Sequence, residues 1–216
     1  MENLKGAIID MDGTLLDSMW MWARVEADYL ESLGLTPKPD LVVVLRTLSM
    51  HEVAEYFRKE YGVRKTVEEI NAGKNQMIEQ YYSNKAVLKD GVLPALEALR
   101  NRGVKMCVMT ATDRYLAEPG LRRCGIDGYF ERIFTCHEER ISKSHPEIFV
   151  RAAEFLGTDI CDTLVIEDAL YAMKSAKRAG FPVAGVYDRS SEDQQDEIRR
   201  FCDYYWVTMD EMLKLL

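Results

Sequence analysis

Residues 7–16 read Ala-Ile-Ile-Asp-Met-Asp-Gly-Thr-Leu-Leu, an apolar run that leads into two isolated carboxylates and then a second apolar pair. On a β-strand, side chains at positions i and i+2 point to the same side. Asp10 and Asp12 are therefore predicted to converge on one substrate or one metal ion at the carboxyl end of a strand. Open α/β sheets bind their ligands at that end.

The two residues after the carboxylates favour a phosphate-binding turn. Gly13 permits a sharp turn and a close approach of a ligand to the backbone, and Thr14 adds a hydroxyl and an amide suited to an anion. The pattern indicates phosphate chemistry with a divalent cation. A calcium-binding EF-hand loop that starts at Asp10 is excluded, because Leu15 and Met21 occupy its glycine and glutamate positions. A plain β-turn, with the carboxylates as turn formers, stays open at this point.

Composition and charge exclude several classes of protein. The 216 residues suffice for one large domain, or for one domain with a smaller insertion, and 47% hydrophobic with 30% charged residues is typical of a globular chain. A net charge of −8 without a face dense in lysine and arginine argues against a general nucleic-acid binder. It leaves a small phosphorylated substrate open, because local amides, one or two cations and a metal suffice to hold one.

The sequence also predicts the cellular compartment of the protein. No apolar run approaches the roughly 20 residues of a membrane span, and the first residues lack the basic and apolar segments of a secretory signal. The five cysteines form no C-x-x-C pair, which is typical of reduced thiols. We therefore expect a cytoplasmic protein with no membrane partner, and a monomer as the default for a chain of this size.

Helix signals dominate residues 18–84, whereas helix and strand alternate after Asp90. Serine or threonine followed three residues later by glutamate predicts a capping box at a helix start. This pattern occurs at Ser49 with Glu52, Thr66 with Glu69, and Thr208 with Glu211.

Five strand candidates follow the first one, and helical segments separate most of them. They are residues 104–109, 132–135, 163–166, 182–186 and 205–207. This alternation predicts an α/β fold with a Rossmann-like, doubly wound parallel sheet. The core would comprise residues 1–17 and 85–216. The helical block 18–84 would be an inserted cap domain that overhangs the active end as a lid.

Two more positions near strand ends offer what phosphoryl chemistry needs. Thr110 follows the strand candidate 104–109 directly, and its hydroxyl with the amide of Ala111 could hold phosphate oxygens. Lys143 lies in a loop before a helix, where one cation could neutralise both a phosphate and a nucleophilic carboxylate. Taken singly, Thr110 could also be a helix cap and Lys143 a solvated loop lysine.

A second pair of carboxylates ends another strand candidate. Glu167 and Asp168 follow residues 163–166 and, together with Asp10, could hold Mg²⁺. Taken alone, the pair could equally mark the N-terminus of a helix.

The order of these groups resembles the haloacid dehalogenase superfamily of phosphotransferases, over nearly the whole chain. Residues 10–14 are similar to the first motif of the family, Thr110 to the second, Lys143 to the third, and Glu167-Asp168 to the fourth. The helical insertion resembles the small α-helical cap of the subclass that includes phosphoglycolate phosphatase and β-phosphoglucomutase.

The resemblance implies a mechanism. Asp10 would attack phosphorus and form an aspartyl-phosphate, and Asp12 would protonate the leaving alcohol and then deprotonate the hydrolytic water. Mg²⁺ would be held by Asp10, the Asp12 carbonyl and Asp168. Thr110 and Lys143 would stabilise charge on the transferring phosphoryl group.

The family comparison also narrows the reaction. An aspartate at position 12 favours transfer to or from oxygen, so a phosphatase or a phosphomutase is expected. The family's β-phosphoglucomutases carry a cap histidine and a cap arginine at places where this chain has Trp22 and Met50. We therefore expect hydrolysis of a small phosphorylated metabolite, such as a sugar phosphate, phosphoglycolate or a nucleotide.

Two alternatives stay open. Arg46 and His51 lie near enough in sequence to serve a mutase, and with Trp22 they are the candidates for substrate selection in the cap. A catalytically silent sensor of phosphorylated metabolites on the same fold is the second alternative.

Overall fold

The structure is a computed structural model that describes residues 3–45 and 48–215. Its sheet has six strands, all parallel, in the order β3-β2-β1-β4-β5-β6. The strands are β1 (Gly6–Ile9), β2 (Lys105–Thr110), β3 (Arg132–Thr135), β4 (Thr163–Glu167), β5 (Val183–Val186) and β6 (Tyr204–Trp206). The predicted α/β class with a parallel sheet is confirmed.

The first strand is central and fully buried, with β2 on one side and β4 on the other. Ile9 is in register with Val108 of β2 and with Ile166 of β4. Because the strands are parallel, their carboxyl ends lie at one edge of the sheet. Residues that follow β1, β2 and β4 are thereby brought close to one another.

Eleven α-helices belong to the part of the chain that the structure describes. They are α1 (Met19–Trp22), α2 (Val25–Ser32), α3 (Leu41–Leu45), α4 (Met50–Tyr61), α5 (Val67–Asn84), α6 (Val92–Asn101), α7 (Arg114–Arg123), α8 (Cys136–Glu139), α9 (Glu147–Leu156), α10 (Leu170–Arg178) and α11 (Gln195–Phe201). None of these helices combines the length and the apolar character that a bilayer crossing requires.

One hydrophobic cluster packs helices against the sheet. Ile8 and Val165 from the strands join Phe149 of α9 and Met173 of α10 in this cluster, and all four are fully buried. Burial of a side chain of this size stabilises the fold by roughly 1.5–3 kcal/mol. The cluster therefore anchors the two helices that follow the third and fourth sequence motifs.

Contacts divide the chain into two compact units. One unit holds the chain up to Met19 and from Ala86 onward, and the other is Trp20–Lys85. The second unit has its own core, in which Tyr29 of α2 stacks on Phe57 of α4 with 6.3 Å between ring centroids.

Two of the three predicted capping boxes are confirmed. Glu52 N donates to Ser49 Oγ at 3.3 Å while the Glu52 carboxylate accepts from Ser49 N at 2.8 Å. Thr66 and Glu69 form the same reciprocal pair at 3.2 and 2.7 Å. These pairs lie at the starts of α4 and α5, so the local sequence pattern alone was sufficient to predict where the two helices begin.

The predicted capping box at Thr208 is wrong. The Thr208 hydroxyl donates to Asp210 Oδ1 at 2.6 Å, and the Glu211 carboxylate accepts from Val207 N at 2.9 Å. The following segment, Met209–Lys214, is a 3₁₀-helix without a side-chain cap. The reciprocal pair does not form, because the Glu211 carboxylate bonds the amide of the residue before Thr208 and the Thr208 hydroxyl caps no backbone N–H of this 3₁₀-helix.

Candidate active site

The loop after β1 is held against β4 and turns tightly at a glycine. Asp10 N donates to Ile166 O at 2.9 Å, which places Asp10 beside the end of β4. Gly13 has φ of +87°, and a Cβ atom there would lie 2.5 Å from Asp168 Oδ2. Only glycine fits both the backbone conformation and the space, so the turn brings the first motif directly onto Asp168.

Lys143 joins the third motif to the first and fourth. Its ammonium donates to Asp10 Oδ1 and, at 2.7 Å, to Glu167 Oε1. Lys143 is 4% exposed, so the alternative of a solvated loop lysine is wrong. Glu167 also accepts from Ala169 N at 3.2 Å through its second oxygen, which fixes the carboxylate.

The carboxylates of Asp10, Glu167 and Asp168 form one buried acidic cluster. One oxygen from each residue lies within 4.8 Å of the others. Three carboxylates and the ammonium of Lys143 give the ionised cluster a formal charge of −2. Carboxylate oxygens are the ligands that Mg²⁺ prefers, so both the donor set and the charge fit a divalent cation.

Burial and mutual repulsion change the proton affinities of these groups. Burial raises the pKa of Asp10 to about 7; Lys143 opposes this rise, and Glu167 and Asp12 add to it. The pKa of Asp168 lies well above its usual range because the group is buried beside Asp10 and Glu167. Burial by itself would lower the pKa of Lys143, but the two carboxylates outweigh burial and raise it. The lysine therefore stays charged, while Asp10 and Asp168 are destabilised as anions.

Asp12 has different partners from Asp10. Its Oδ1 accepts from Ser18 Oγ at 2.6 Å, and its Oδ2 accepts from Thr112 Oγ1 at 2.7 Å. A hydroxyl can donate to a carboxylate and can also accept from a carboxylic acid. Ser18 and Thr112 can therefore orient Asp12 in both protonation states, as a proton-transferring group requires.

Sequence reasoning missed Ser18 and Thr112 as partners of Asp12. Thr112 lies 100 residues from Asp12 in sequence. The signal was weak, because Thr112 comes just after β2 but Ser18 lies nine residues after β1, and short hydroxyl residues are common in turns.

The remaining phosphate-binding candidates lie at the same edge of the sheet. Thr110 is buried, and its hydroxyl accepts from Thr112 N at 3.0 Å. Asp113, rather than Thr110, is the N-cap of α7, so the helix-cap alternative for Thr110 is wrong. Ala111 is exposed. The buried hydroxyl of Thr14 has no hydrogen-bond partner among the described residues.

The candidates for substrate selection lie in the second unit or outside the described residues. Trp22 Nε1 donates to Tyr82 OH at 3.0 Å, so the polar edge of this half-buried ring is already bonded within its own unit. His51 is exposed in the first turn of α4. Arg46 lies outside the described residues.

Comparisons with known proteins agree on one family. The family model of haloacid dehalogenase-like hydrolases matches residues 4–180. Hexitol phosphatase B from Escherichia coli K12 is 26% identical over 181 residues, which are 80% of this chain and 79% of that protein. N-acetylmuramic acid 6-phosphate phosphatase from Pseudomonas aeruginosa is 30% identical over 190 residues, with coverage of 85% and 81%.

A solved structure supports the same conclusion at the level of the fold. A Thermotoga maritima protein provisionally identified as a β-phosphoglucomutase has a TM-score of 0.85, 23% identity and 98% coverage of both chains. The resemblance and the Rossmann-like fold expected from the sequence are confirmed. The chain belongs to the haloacid dehalogenase-like hydrolase family, and its phosphatase relatives support its place there as a phosphoric monoester hydrolase.

Proposed function

We propose that this chain is a Mg²⁺-dependent phosphatase that hydrolyses a small phosphorylated carbohydrate, such as a sugar phosphate or a sugar-alcohol phosphate, through an aspartyl-phosphate. The observation that carries the proposal is the separation of two carboxylates at the end of β1. Asp10 lies in the buried acidic cluster against Lys143, whereas Asp12 is held by two hydroxyls. One carboxylate is thereby suited to attack and the other to proton transfer.

The roles of the individual groups follow from these contacts. Asp10 would attack phosphorus, and the ammonium of Lys143 would offset charge on both the nucleophile and the phosphoryl oxygens. Thr110, with the amides of Ala111 and Thr14, would bind the phosphoryl group near the backbone of Gly13. Asp12, oriented by its hydroxyl partners, would protonate the leaving alcohol and deprotonate the water.

The acidic cluster is where the metal would bind. Asp10 and Asp168 would hold Mg²⁺ with the Asp12 carbonyl, and Glu167 would complete the negative environment. When bound, Mg²⁺ supplies charge neutralisation between an anionic nucleophile and an anionic phosphate.

The relatives favour a carbohydrate substrate over the other classes. The names of two of them state a hexitol phosphate and an N-acetylmuramic acid phosphate as substrates. The helical unit Trp20–Lys85 would act as the cap, with Trp22, Arg46 and His51 as candidates for substrate selection.

The test is release of inorganic phosphate from p-nitrophenyl phosphate with Mg²⁺. Asp10→Asn should lower the rate by roughly 10⁴-fold or more, because it removes the nucleophile and keeps the shape. Asp127→Asn, at an exposed aspartate outside the site, is the matched control and should keep the wild-type rate. Persistent activity in Asp10→Asn would contradict the nucleophile assignment.

A panel of substrates then tests the proposed class. Hexose and hexitol monophosphates should be hydrolysed faster than phosphoglycolate or nucleotides. Formation of glucose 6-phosphate from β-glucose 1-phosphate with a bisphosphate primer would favour the mutase alternative instead.

A further inference from the structure

A largely buried ion pair lies outside the four motifs. Lys89 Nζ donates to Asp188 Oδ2 at 2.6 Å and to Tyr187 O at 2.7 Å. The side chains of Lys89 and Asp188 are 14% and 7% exposed. Removing two charges from water has a large cost, so a pair at this depth is weak support for stability by itself. The position of the pair indicates a role other than stabilising the fold.

Both members of the pair are fixed to the edge of the sheet that carries the acidic cluster. Lys89 N donates to Leu15 O at 3.0 Å, which ties the lysine to the loop of the first motif. Asp188 follows β5, and β5 pairs with β4 so that Gly185 is in register with Glu167. Asp188 therefore lies just beyond the carboxyl end of β5, and the neighbouring strand β4 ends in Glu167.

Further bonds orient the aspartate. Its second oxygen, Oδ1, accepts from Ser190 N at 2.9 Å and from Ser190 Oγ at 2.7 Å. Gln195 Nε2 donates to Asp188 O at 3.1 Å. The carboxylate is thus held in one position with every oxygen bonded, and its charge acts from a defined place.

That charge lies close to the cluster. Paired strands are about 4.8 Å apart, and Asp188 comes three residues after Gly185, the residue in register with Glu167. Lys89 carries the compensating positive charge against Asp188. Because the interior screens charges weakly, a change in either member alters the potential at the cluster.

We propose that the Lys89–Asp188 pair sets the affinity of the acidic cluster for a divalent cation. Asp188 increases the attraction for the cation, and Lys89 limits it. Both are positioning residues that act through the field at Asp168 rather than by contact with substrate. This inference rests on the proposed function, because it concerns the same cluster as the Mg²⁺ site.

The test is calorimetric titration of Mg²⁺ into metal-free protein at pH 8. Asp188→Asn should weaken binding by roughly threefold to tenfold, and Lys89→Met should strengthen it by a similar factor. The double variant, in which both charges are gone, should return to within about twofold of wild type. Lys5→Met, at an exposed ion pair with Asp162 before β1, is the control and should bind like wild type.

A purely structural role predicts a different pattern. Both single variants would then weaken Mg²⁺ binding, and the double variant would be at least as weak as either. That pattern, or unchanged binding in both single variants, would overturn the proposal. If Asp188→Asn does not fold, Lys89→Met decides alone, since tighter binding supports the proposal and unchanged or weaker binding refutes it. Wild-type protein that binds no Mg²⁺ would instead contradict the metal site of the proposed function.

Discussion

Charged side chains are buried at the carboxyl edge of the sheet, whereas an ion pair at the amino edge is exposed to solvent. At the carboxyl edge, Lys143 bonds Asp10 and Glu167 with all three side chains buried. At the amino edge, Lys5 pairs with Asp162 while its side chain stays 62% exposed. Surface pairs of that kind contribute little to stability, whereas a buried pair becomes costly once one partner is lost. The concentration of buried charge at one edge therefore marks that edge as the one shaped for function.

Removing the lysine from each edge should give the largest contrast. Lys143→Met leaves two buried carboxylates without a cation, so we expect a loss of about 3–5 kcal/mol in the free energy of unfolding. Phosphatase activity should fall by roughly 10³-fold or more, because charge on the phosphoryl oxygens loses its partner. Lys5→Met should change neither quantity measurably. Urea unfolding and phosphate release measure both effects, and equal stability losses at the two edges would break the comparison.

Two glycines sharpen the contrast, since both have positive φ. A Cβ on Gly13 would clash with Asp168. A Cβ on Gly157, at the end of α9, would approach only Lys105 Nζ at 3.7 Å. Gly157→Ala should cost about 1–2 kcal/mol from backbone strain alone. Gly13→Ala should cost about 3 kcal/mol or more, with a loss of Mg²⁺ binding, because the clash displaces Asp168. Thermal unfolding with and without Mg²⁺ tests this, and equal shifts in the two variants would count against the close approach.

The raised pKa of Asp10 predicts how metal-free protein responds to pH. Between pH 4 and about 7 the folded state binds more protons at Asp10 than the unfolded state, so this group makes stability fall as pH rises. Asp10→Asn should remove that contribution. The unfolding free energy of Asp10→Asn relative to that of wild type should therefore increase as pH rises from 4 to 7. A difference independent of pH in that window would contradict the raised pKa.

The smallest expected effect concerns the hydroxyl partners of Asp12. Thr112→Val removes one hydrogen bond to Asp12 and should lower kcat by roughly tenfold, with Mg²⁺ affinity unchanged. Thr158→Val, which removes a 2.7 Å hydroxyl contact with Thr163 at the amino edge, is the matched control and should leave kcat as it is. A loss of Mg²⁺ binding in Thr112→Val would place Thr112 in the metal site instead.

Much of the fold follows from local sequence patterns. Apolar runs separated by helical segments predicted the strands, and the strand at residues 132–135 matches β3 residue for residue. Capping boxes predicted the starts of α4 and α5 because every partner lies within three residues. The same pattern failed at Thr208, where the chain forms a 3₁₀-helix and Glu211 bonds Val207 N instead of Thr208 N.

The site was predictable only in part, and for a physical reason. Asp10, Lys143, Glu167 and Asp168 each follow a strand or precede a helix, so parallel topology alone brings them to one edge. Their catalytic roles stay predictions. Contacts such as Thr112 with Asp12, or Lys89 with Asp188, join residues about a hundred positions apart and depend on strand order and side-chain reach. No local pattern contains that information.

Capture of the phosphorylated protein during turnover tests the role of Asp10 most directly. Enzyme mixed with a ³²P-labelled sugar phosphate and Mg²⁺ is quenched in acid, digested with pepsin at low pH, and the labelled peptide is identified. We predict label on a peptide that contains Asp10, at Asp10, in a form that alkali releases. Turnover without any labelled protein, or label at Asp12 or Asp168, would contradict the assignment of Asp10 as the nucleophile.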